Sequence, residues 1–539
     1  MDFKNSTTCL CTTPSNGTFR ELIFIQAGPS SNWIGAHFWN LQESSLFQRS
    51  EDSCFYLPAL FRMNVRGSMS SLRPRLIAID TLGSIRTPRM EMSSATPPSV
   101  TVAWDGDIQT IRQDDGNFQL QMNEHSLEVR GKIDEIRELE VSKSRFWTDC
   151  LLPAVKRRWN GEDTVVVLRE YLDSSSPGDV FASPSRSSNA STSAAKDNDS
   201  TSFSSFAQGL DLYREGGDAF EYFEAYFHRL VEECDRPNGF SLLVDSDSGF
   251  AGVGLRLGEF LSEEFAKRPV FTSAISSYFQ PSQLSRRWST VCLNRLTLFT
   301  VMEEATNWPS CSAWMPVTDT GDACAASSRL AAGLATLFTP ILLNHDYKYS
   351  SELHGFINSL TPTHKKMMSL SLTTQDITTK LQEDQIWTHA NTLSMCHDTT
   401  QASSRPRSLV CQLSTRGFLM EEGSFLPYLP RSRGYACFLE EGVDPQLSCS
   451  LPAAPLTLPR LNGTETLLCT QPVRSRACAL IEAVSHWTAE NQWLARGLKL
   501  HMDCAFRKPL NLYLETDELR QLQESAVDHL VEAYASPDG

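Results

Sequence analysis

Two glycine-containing turns carry the residue types that hold phosphate. The first, Gly28-Pro29-Ser30-Ser31-Asn32, follows the short apolar run Leu22-Ile23-Phe24-Ile25 and precedes Ile34, Phe38 and Leu41, which recur at helical spacing. The second, Asp245-Ser246-Asp247-Ser248-Gly249-Phe250-Ala251-Gly252-Val253-Gly254, follows Phe240–Val244 and leads into Leu255, Leu257, Phe260, Leu261 and Phe265. Each reads as strand, glycine turn, helix. That order aims the unsatisfied N–H groups of a helix's first turn past a strand end, where doubly wound α/β folds bind anions. The candidate phosphate-binding residues are Gly28, Ser30, Ser31 and Asn32 in the first turn and Gly249, Gly252 and Gly254 in the second. Taken singly, either turn is equally an ordinary strand-to-helix connection without a ligand. Nothing suggests a catalytic residue or a metal ligand. Cys396-His397-Asp398 has the residue types of a thiol triad, but adjacent residues do not usually converge on one substrate atom. The 15 cysteines are scattered without a CxxC pair, which reads as free thiols in a reducing compartment.

The stretch Arg20 to Gln42 resembles the start of tubulin in Arg20-Glu21, Ile25-Gln26-Ala27-Gly28, Asn32, Ile34-Gly35-Ala36 and Phe38-Trp39. Its ending, His37-Phe38-Trp39-Asn40-Leu41-Gln42, is closer still to Misato, the tubulin-related family linked to mitochondrial distribution and morphology. The second turn falls where tubulins carry the glycine-rich GGGTGSG loop whose amides wrap the phosphates. The resemblance implies a tubulin-like α/β fold: a doubly wound parallel-sheet domain, a second smaller α/β domain and C-terminal helices. It further implies a cytoplasmic protein, peripheral to the mitochondrial outer membrane, that regulates mitochondrial distribution, fusion and morphology without catalysis. Two alternatives stay open. One is a polymer-forming protein that binds and hydrolyses GTP with magnesium. The other is an assembly factor that works with tubulin or a chaperonin on microtubules and the spindle.

Several residues depart from the tubulin pattern in ways that weaken a phosphate site, so no cofactor is expected, GTP with magnesium being the alternative. Pro29 removes an amide donor from the first turn, and Trp33 puts an indole where tubulin has a polar residue. Asp245 and Asp247 place carboxylates in the second turn. At roughly 5 Å and an effective dielectric near 20, each would repel each phosphate charge by about 3 kcal/mol. Asp80 ends the buried run Leu76–Ile79, but its continuation Thr81-Leu82-Gly83-Ser84 lacks the glutamate that helps hold magnesium in tubulin. The hydrolytic pattern that tubulins present to a neighbouring subunit matches only incompletely at Glu352 and Gly355.

The elements that must position these turns follow from periodicity. Residues 1–18 read as a flexible extension, 19–320 as the nucleotide-binding-type domain, 321–475 as a second α/β domain and 476–539 as a helical region. Glu43–Met69 reads as loop or short helix, Phe146–Leu151 as helix and Thr164–Leu168 as strand. Residues 172–205 are rich in Ser, Asn, Asp and Ala, a composition too poor in apolar surface to offset its ordering entropy. Phe220 to Cys234 is an amphipathic helix with Phe220, Phe223, Phe227 and Leu230 on one side. Later helices are expected at Leu284–Glu304, Ala325–Phe338, Arg476–Leu494 and Thr516–Tyr534, with strands at Ser312–Val317, Leu409–Leu413 and Tyr435–Leu439 and a polar loop over Asp376–Pro406.

Composition narrows the partners. With 539 residues, several domains are expected, and 41% apolar against 21% charged residues fits a folded chain. Lys plus Arg number 48 against 64 Asp plus Glu, a net charge of -16 that a nucleic-acid backbone would repel. The longest apolar segment, Leu330 to Leu343, contains Pro340 and is shorter than the roughly 20 residues of a membrane span, so membrane association would be peripheral. The polar first 18 residues lack the pattern of a targeting peptide.

Overall fold

The computed structural model describes residues 20–47, 54–66, 69–81, 147–151, 165–168, 203–214, 216–276, 286–304, 310–316, 323–361, 367–376, 392–394, 407–417, 446–451, 456–458 and 473–486, with 521, 524 and 525. The N-terminal extension, the segment around Trp104, Cys396–Asp398, the strand expected at Tyr435–Leu439 and most of the serine-rich stretch lie outside the described residues. So does all but three positions of the helix expected at Thr516–Tyr534.

The chain opens with β1 (Glu21–Ala27) and α1 (Pro29–Phe47). The hairpin β2 (Phe61–Arg66) and β3 (Met69–Pro74) precedes β4 (Leu76–Thr81), a 3-10 turn at Trp147–Cys150 and β5 (Val165–Leu168). There follow α2 (Phe206–Leu212), α3 (Asp218–Glu232), β6 (Pro237–Asp245), α4 (Phe250–Glu264), β7 (Val270–Ser276), α5 (Arg286–Glu304) and β8 (Ser310–Pro316). Beyond them lie α6 (Ala323–Leu337), α7 (Thr339–Leu342), α8 (Leu353–Leu360), β9 (Met367–Asp376) and β10 (Thr392–Ser394). The last strands are β11 (Arg407–Arg416), β12 (Gln446–Leu451), β13 (Leu456–Leu458) and β14 (Val473–His486).

The order β5-β4-β1-β6-β7-β8 is the core of a 12-stranded sheet, and each neighbouring pair in it is parallel. With the hairpin set aside, this is the doubly wound order, which reverses direction between β1 and β6. Beyond β8 the sheet continues through β9, parallel, then β14 and β11, antiparallel, and ends at β12.

Alternation along the central strands explains why both faces are covered. Leu22 and Phe24 of β1, Leu76 and Ala78 of β4 and Leu243 of β6 join one apolar layer with Phe38, Trp39 and Phe338 from α1 and the end of α6. Ile23, Ile25, Ile77, Ile79, Leu242 and Val244 join the opposite layer with Phe223 and Phe227 of α3 and Phe260 of α4. Aromatic rings interlock in both layers: Phe24 lies 5.0 Å from Phe38 and 5.6 Å from Phe338, and Phe227 lies 5.6 Å from Phe260. Pairs of this kind add about 0.5–1.5 kcal/mol beyond their buried area.

Three expectations from periodicity are corrected. Arg476–Leu494 was expected to be a helix because Leu480, Ile481 and Val484 share a helical face, but Arg476–His486 lies in β14, paired antiparallel on both sides with β9 and β11. Ladder bonds on both edges outweigh a helical pattern that is short and shared with the strand period. Glu43–Met69, expected as loop or short helix, continues α1 to Phe47 and then supplies β2, whose partner β3 gives it the cross-strand bonds its own composition does not announce. The polar stretch Asp376–Pro406 contains β10, held by pairing to β9.

Helices α2 and α4 touch backbone to backbone. A Cβ added at Gly252 would fall 1.9 Å from the Phe206 carbonyl oxygen, and one at Gly209 would fall 1.8 Å from that of Gly249. Gly252→Ala should therefore lower stability by about 2 kcal/mol or more through forced separation of the helices. Gly355→Ala on α8, whose new Cβ would meet only the Ser351 hydroxyl at 3.7 Å, should be neutral or stabilising by about 0.5–1 kcal/mol. Thermal midpoints of the two variants would show it, and a Gly252→Ala protein as stable as its parent would refute the close contact.

Candidate functional site

The reversal between β1 and β6 leaves a crevice at the carboxyl ends of these strands, and both glycine turns lead out of it. The two turns meet. Gly28 has φ +108°, and a Cβ there would lie 2.5 Å from Cγ of Asp245, so only glycine lets the β1 turn pass the end of β6. Pro29 opens α1, a position where its missing N–H is no loss and its fixed φ suits the helix.

Asp245 lies across the first turn of α1. Its Oδ2 accepts the Ser30 amide at 2.8 Å, and its Oδ1 accepts the Ser31 amide at 2.7 Å and the Ser31 hydroxyl at 2.6 Å. A carboxylate thus caps the positive end of the helix from a different strand. Asn32 reaches the other way: its Nδ2 donates to the Ile79 carbonyl at 3.0 Å and to Oδ2 of Asp80 at 2.9 Å. Asp80 also accepts the Trp147 indole N–H at 2.8 Å and the Thr81 amide at 2.8 Å. Two buried carboxyls therefore flank β1, each with three donors. Burial pushes the Asp245 carboxyl up to about 7 against the pull of Ser31 and Ser30. Burial likewise pushes Asp80 up to about 7 against its bonds to Asn32, Thr81 and Trp147, and the Asp245 charge adds to the rise.

The second turn is arranged differently. Gly249 precedes α4, while Gly252 and Gly254 lie inside it, packed on the Phe206 carbonyl and the Val244 side chain. Segment 203–206 runs over the turn: the Gly249 amide donates to the Phe203 carbonyl at 3.1 Å, and the Phe203 ring stands edge-on to Phe250 at 5.0 Å. Asn294 of α5 pins that segment, accepting the Phe206 amide and donating to the Ser204 carbonyl. The amides of Ser246, Ala251, Gly252 and Val253 bond to carbonyls, and that of Phe250 to the Ser248 hydroxyl. Asp247, expected to face a phosphate, instead makes a two-point ion pair with buried Arg295 at 2.6 and 2.9 Å. Trp33 is buried in the layer shared with α6. Gly28, Ser30, Ser31 and Asn32 thus gather at the ends of β4 and β6, whereas Gly249 lies against Phe203, Gly252 packs α4 on α2 and Gly254 packs it on β6.

Sequence reasoning missed Asp80, Trp147, Arg295 and Phe203 as partners in this arrangement. Asp80 was marked as the acidic end of an apolar run; the other three gave no local signal. Glu352 immediately precedes α8, 3.8 Å from Arg20, and Gly355 is exposed on that helix. Among the described residues no group of three or more His, Cys, Asp or Glu could hold a metal ion, and no helix is long and apolar enough to cross a membrane.

Residues 20–135 match the Misato Segment II tubulin-like domain. That segment is similar to the tubulin-like domain of the Misato family. The chain is 27% identical over 293 residues to Protein misato homolog 1 of Danio rerio, covering 50% of this chain and 48% of the relative. It is 28% identical over 275 residues to Protein misato homolog 1 of Mus musculus, covering 48% and 44%, and 26% identical over 267 residues to Protein DML1 of Coccidioides immitis (strain RS), covering 48% and 45%. The matches span about half the length of these curated relatives. The Misato-type segment includes β1, the first turn, α1 and Asp80, and so one side of the crevice.

The raised carboxyls of Asp80 and Asp245 give stability a definite pH dependence. A free Asp titrates near 3.9, so between about pH 4 and pH 7 the folded chain binds protons that the unfolded chain does not. Their contribution is fully present below about pH 4 and is lost as pH rises through 7. The thermal midpoint should fall by a few degrees, about 3–8 °C, between pH 5 and pH 8, and Asp80→Asn should flatten that slope. Calorimetric scans across this range decide it; an unchanged slope in Asp80→Asn would show that Asp80 is ionised throughout.

Proposed function

We propose that this chain is a non-catalytic, tubulin-like regulatory protein that acts in mitochondrial distribution, fusion and morphology, from the cytoplasm and at the surface of the outer membrane. The observation that carries the non-catalytic reading is the engagement of the second turn. A phosphate cradle needs backbone N–H groups facing open space, and here the amides of Ser246 and Gly249 to Val253 bond within the chain, beneath segment 203–206. The residues present do not fit a nucleoside triphosphate: the first turn's donors are taken by Asp245, and Gly252 and Gly254 lie inside α4, packed on the Phe206 carbonyl and the Val244 side chain. The mitochondrial role rests on the family resemblance of Arg20–Gln42 and on the relatives named misato and DML1.

GTP with magnesium, titrated into the purified chain in a calorimeter, should give no saturable heat up to millimolar nucleotide. Micromolar binding would overturn the non-catalytic reading. Depletion in cells should redistribute the mitochondria, with recovery on return of the intact chain; mitochondria that stay normal would remove the mitochondrial role.

A further inference from the structure

We propose that Asp245 is a resident anion: an autoinhibitory contact that closes an otherwise intact oxyanion hole at the start of α1. The proposal rests on the reading that the unaltered chain binds no nucleotide, and it assigns the cause in the first turn to one side chain.

The geometry supports an occupied hole rather than a missing one. Three donors converge on the Asp245 carboxylate, the Ser30 amide, the Ser31 amide and the Ser31 hydroxyl, at 2.6–2.8 Å, the spacing a phosphate oxygen would adopt. The carboxylate comes from β6, 215 residues away in sequence from Ser30, and is not a local cap. Gly28 keeps the space clear: a Cβ there would lie 2.5 to 2.7 Å from Cγ, Cβ and Oδ2 of Asp245. The neighbouring carboxylates do not compete for these donors. Asp80 is held by Asn32, Trp147 and Thr81, and Asp247 by Arg295. On the elements packed around the pair, other titratable residues include Glu21 at the far end of β1, His37 and Glu43 along α1, Asp149 and Cys150 on the 3-10 turn, Arg256, Glu259, Glu263 and Glu264 on α4, and Arg329 on α6. Removal of the Asp245 carboxylate would leave three donors around a space the size of a small oxyanion.

Asp245→Ala should open that space and Asp245→Asn should keep it filled. At pH 8 and constant ionic strength, the thermal midpoint of each is followed against 0–10 mM sodium formate or sodium phosphate, with chloride as the balancing salt. The low range keeps general salting effects small. Asp245→Ala should gain about 2 °C or more with either anion, formate restoring the lost carboxylate and phosphate replacing it. The intact chain and Asp245→Asn should not respond. Equal responses in the intact chain, or none in Asp245→Ala, would overturn the proposal. Should Asp245→Ala fail to fold in chloride, it is refolded in each anion and Asp245→Ser is titrated alongside; absence of rescue in both also overturns it. GTP binding by the intact chain would defeat the earlier reading. A silent Asp245→Ala beside an intact chain that ignores GTP would defeat this one alone.

Discussion

The capping of α1 by a carboxylate from β6 is the constraint on which the centre of the molecule depends. The first turn of a helix presents N–H groups without intrahelical partners, and burying them without acceptors would cost about 1–3 kcal/mol each. Asp245 supplies the acceptor for Ser30 and Ser31 and in doing so ties α1, which follows β1, to the end of the neighbouring strand. The same residue fixes the need for glycine at 28. One side chain therefore sets the approach of the two turns and satisfies the helix end that an external anion would otherwise reach.

Asp80 performs the matching task on the other side of β1. Its carboxyl joins Asn32 on α1 to Trp147, so the helix start is held from β4 as well as from β6. Two carboxyls in so buried a place are costly, which is why each carries three hydrogen-bond donors and why burial still raises both toward neutrality. The second turn is secured by different means, through backbone contact between α2 and α4 and the Asp247–Arg295 pair. The outcome is a tubulin-like frame whose switch point is filled by its own side chains and covered by segment 203–206.

Much of this frame could be read from residue order. The apolar runs at Leu22–Ile25, Leu76–Ile79 and Phe240–Val244 became β1, β4 and β6, and the phenylalanine stripe from Phe220 to Phe227 packs as core on α3. The strand before each glycine turn and the helix after it were legible because period and turn chemistry agree there. Arg476–Leu494 was misread for the opposite reason. Its apolar residues share a helical face, and Leu480 and Val484 also share one face of a strand, so only the flanking strands β9 and β11 decide. The hairpin at Phe61–Pro74 was missed because its stability comes from pairing and not from a run of strand-forming residues.

The sequence by itself determined the unit strand, glycine turn, helix in two places, the presence of carboxylates where a phosphate cradle would want none, and the likeness to Misato. Those are local properties, carried by spacing within a dozen residues. Only the tertiary structure decided what each carboxylate does. Asp245 and Asp247 are two positions apart and chemically alike, yet one caps a helix at Ser30, 215 residues earlier, and the other pairs with an arginine 48 residues later. The reason is that a carboxylate takes whichever donors the packed sheet and helices bring to it, and those donors are chosen by topology.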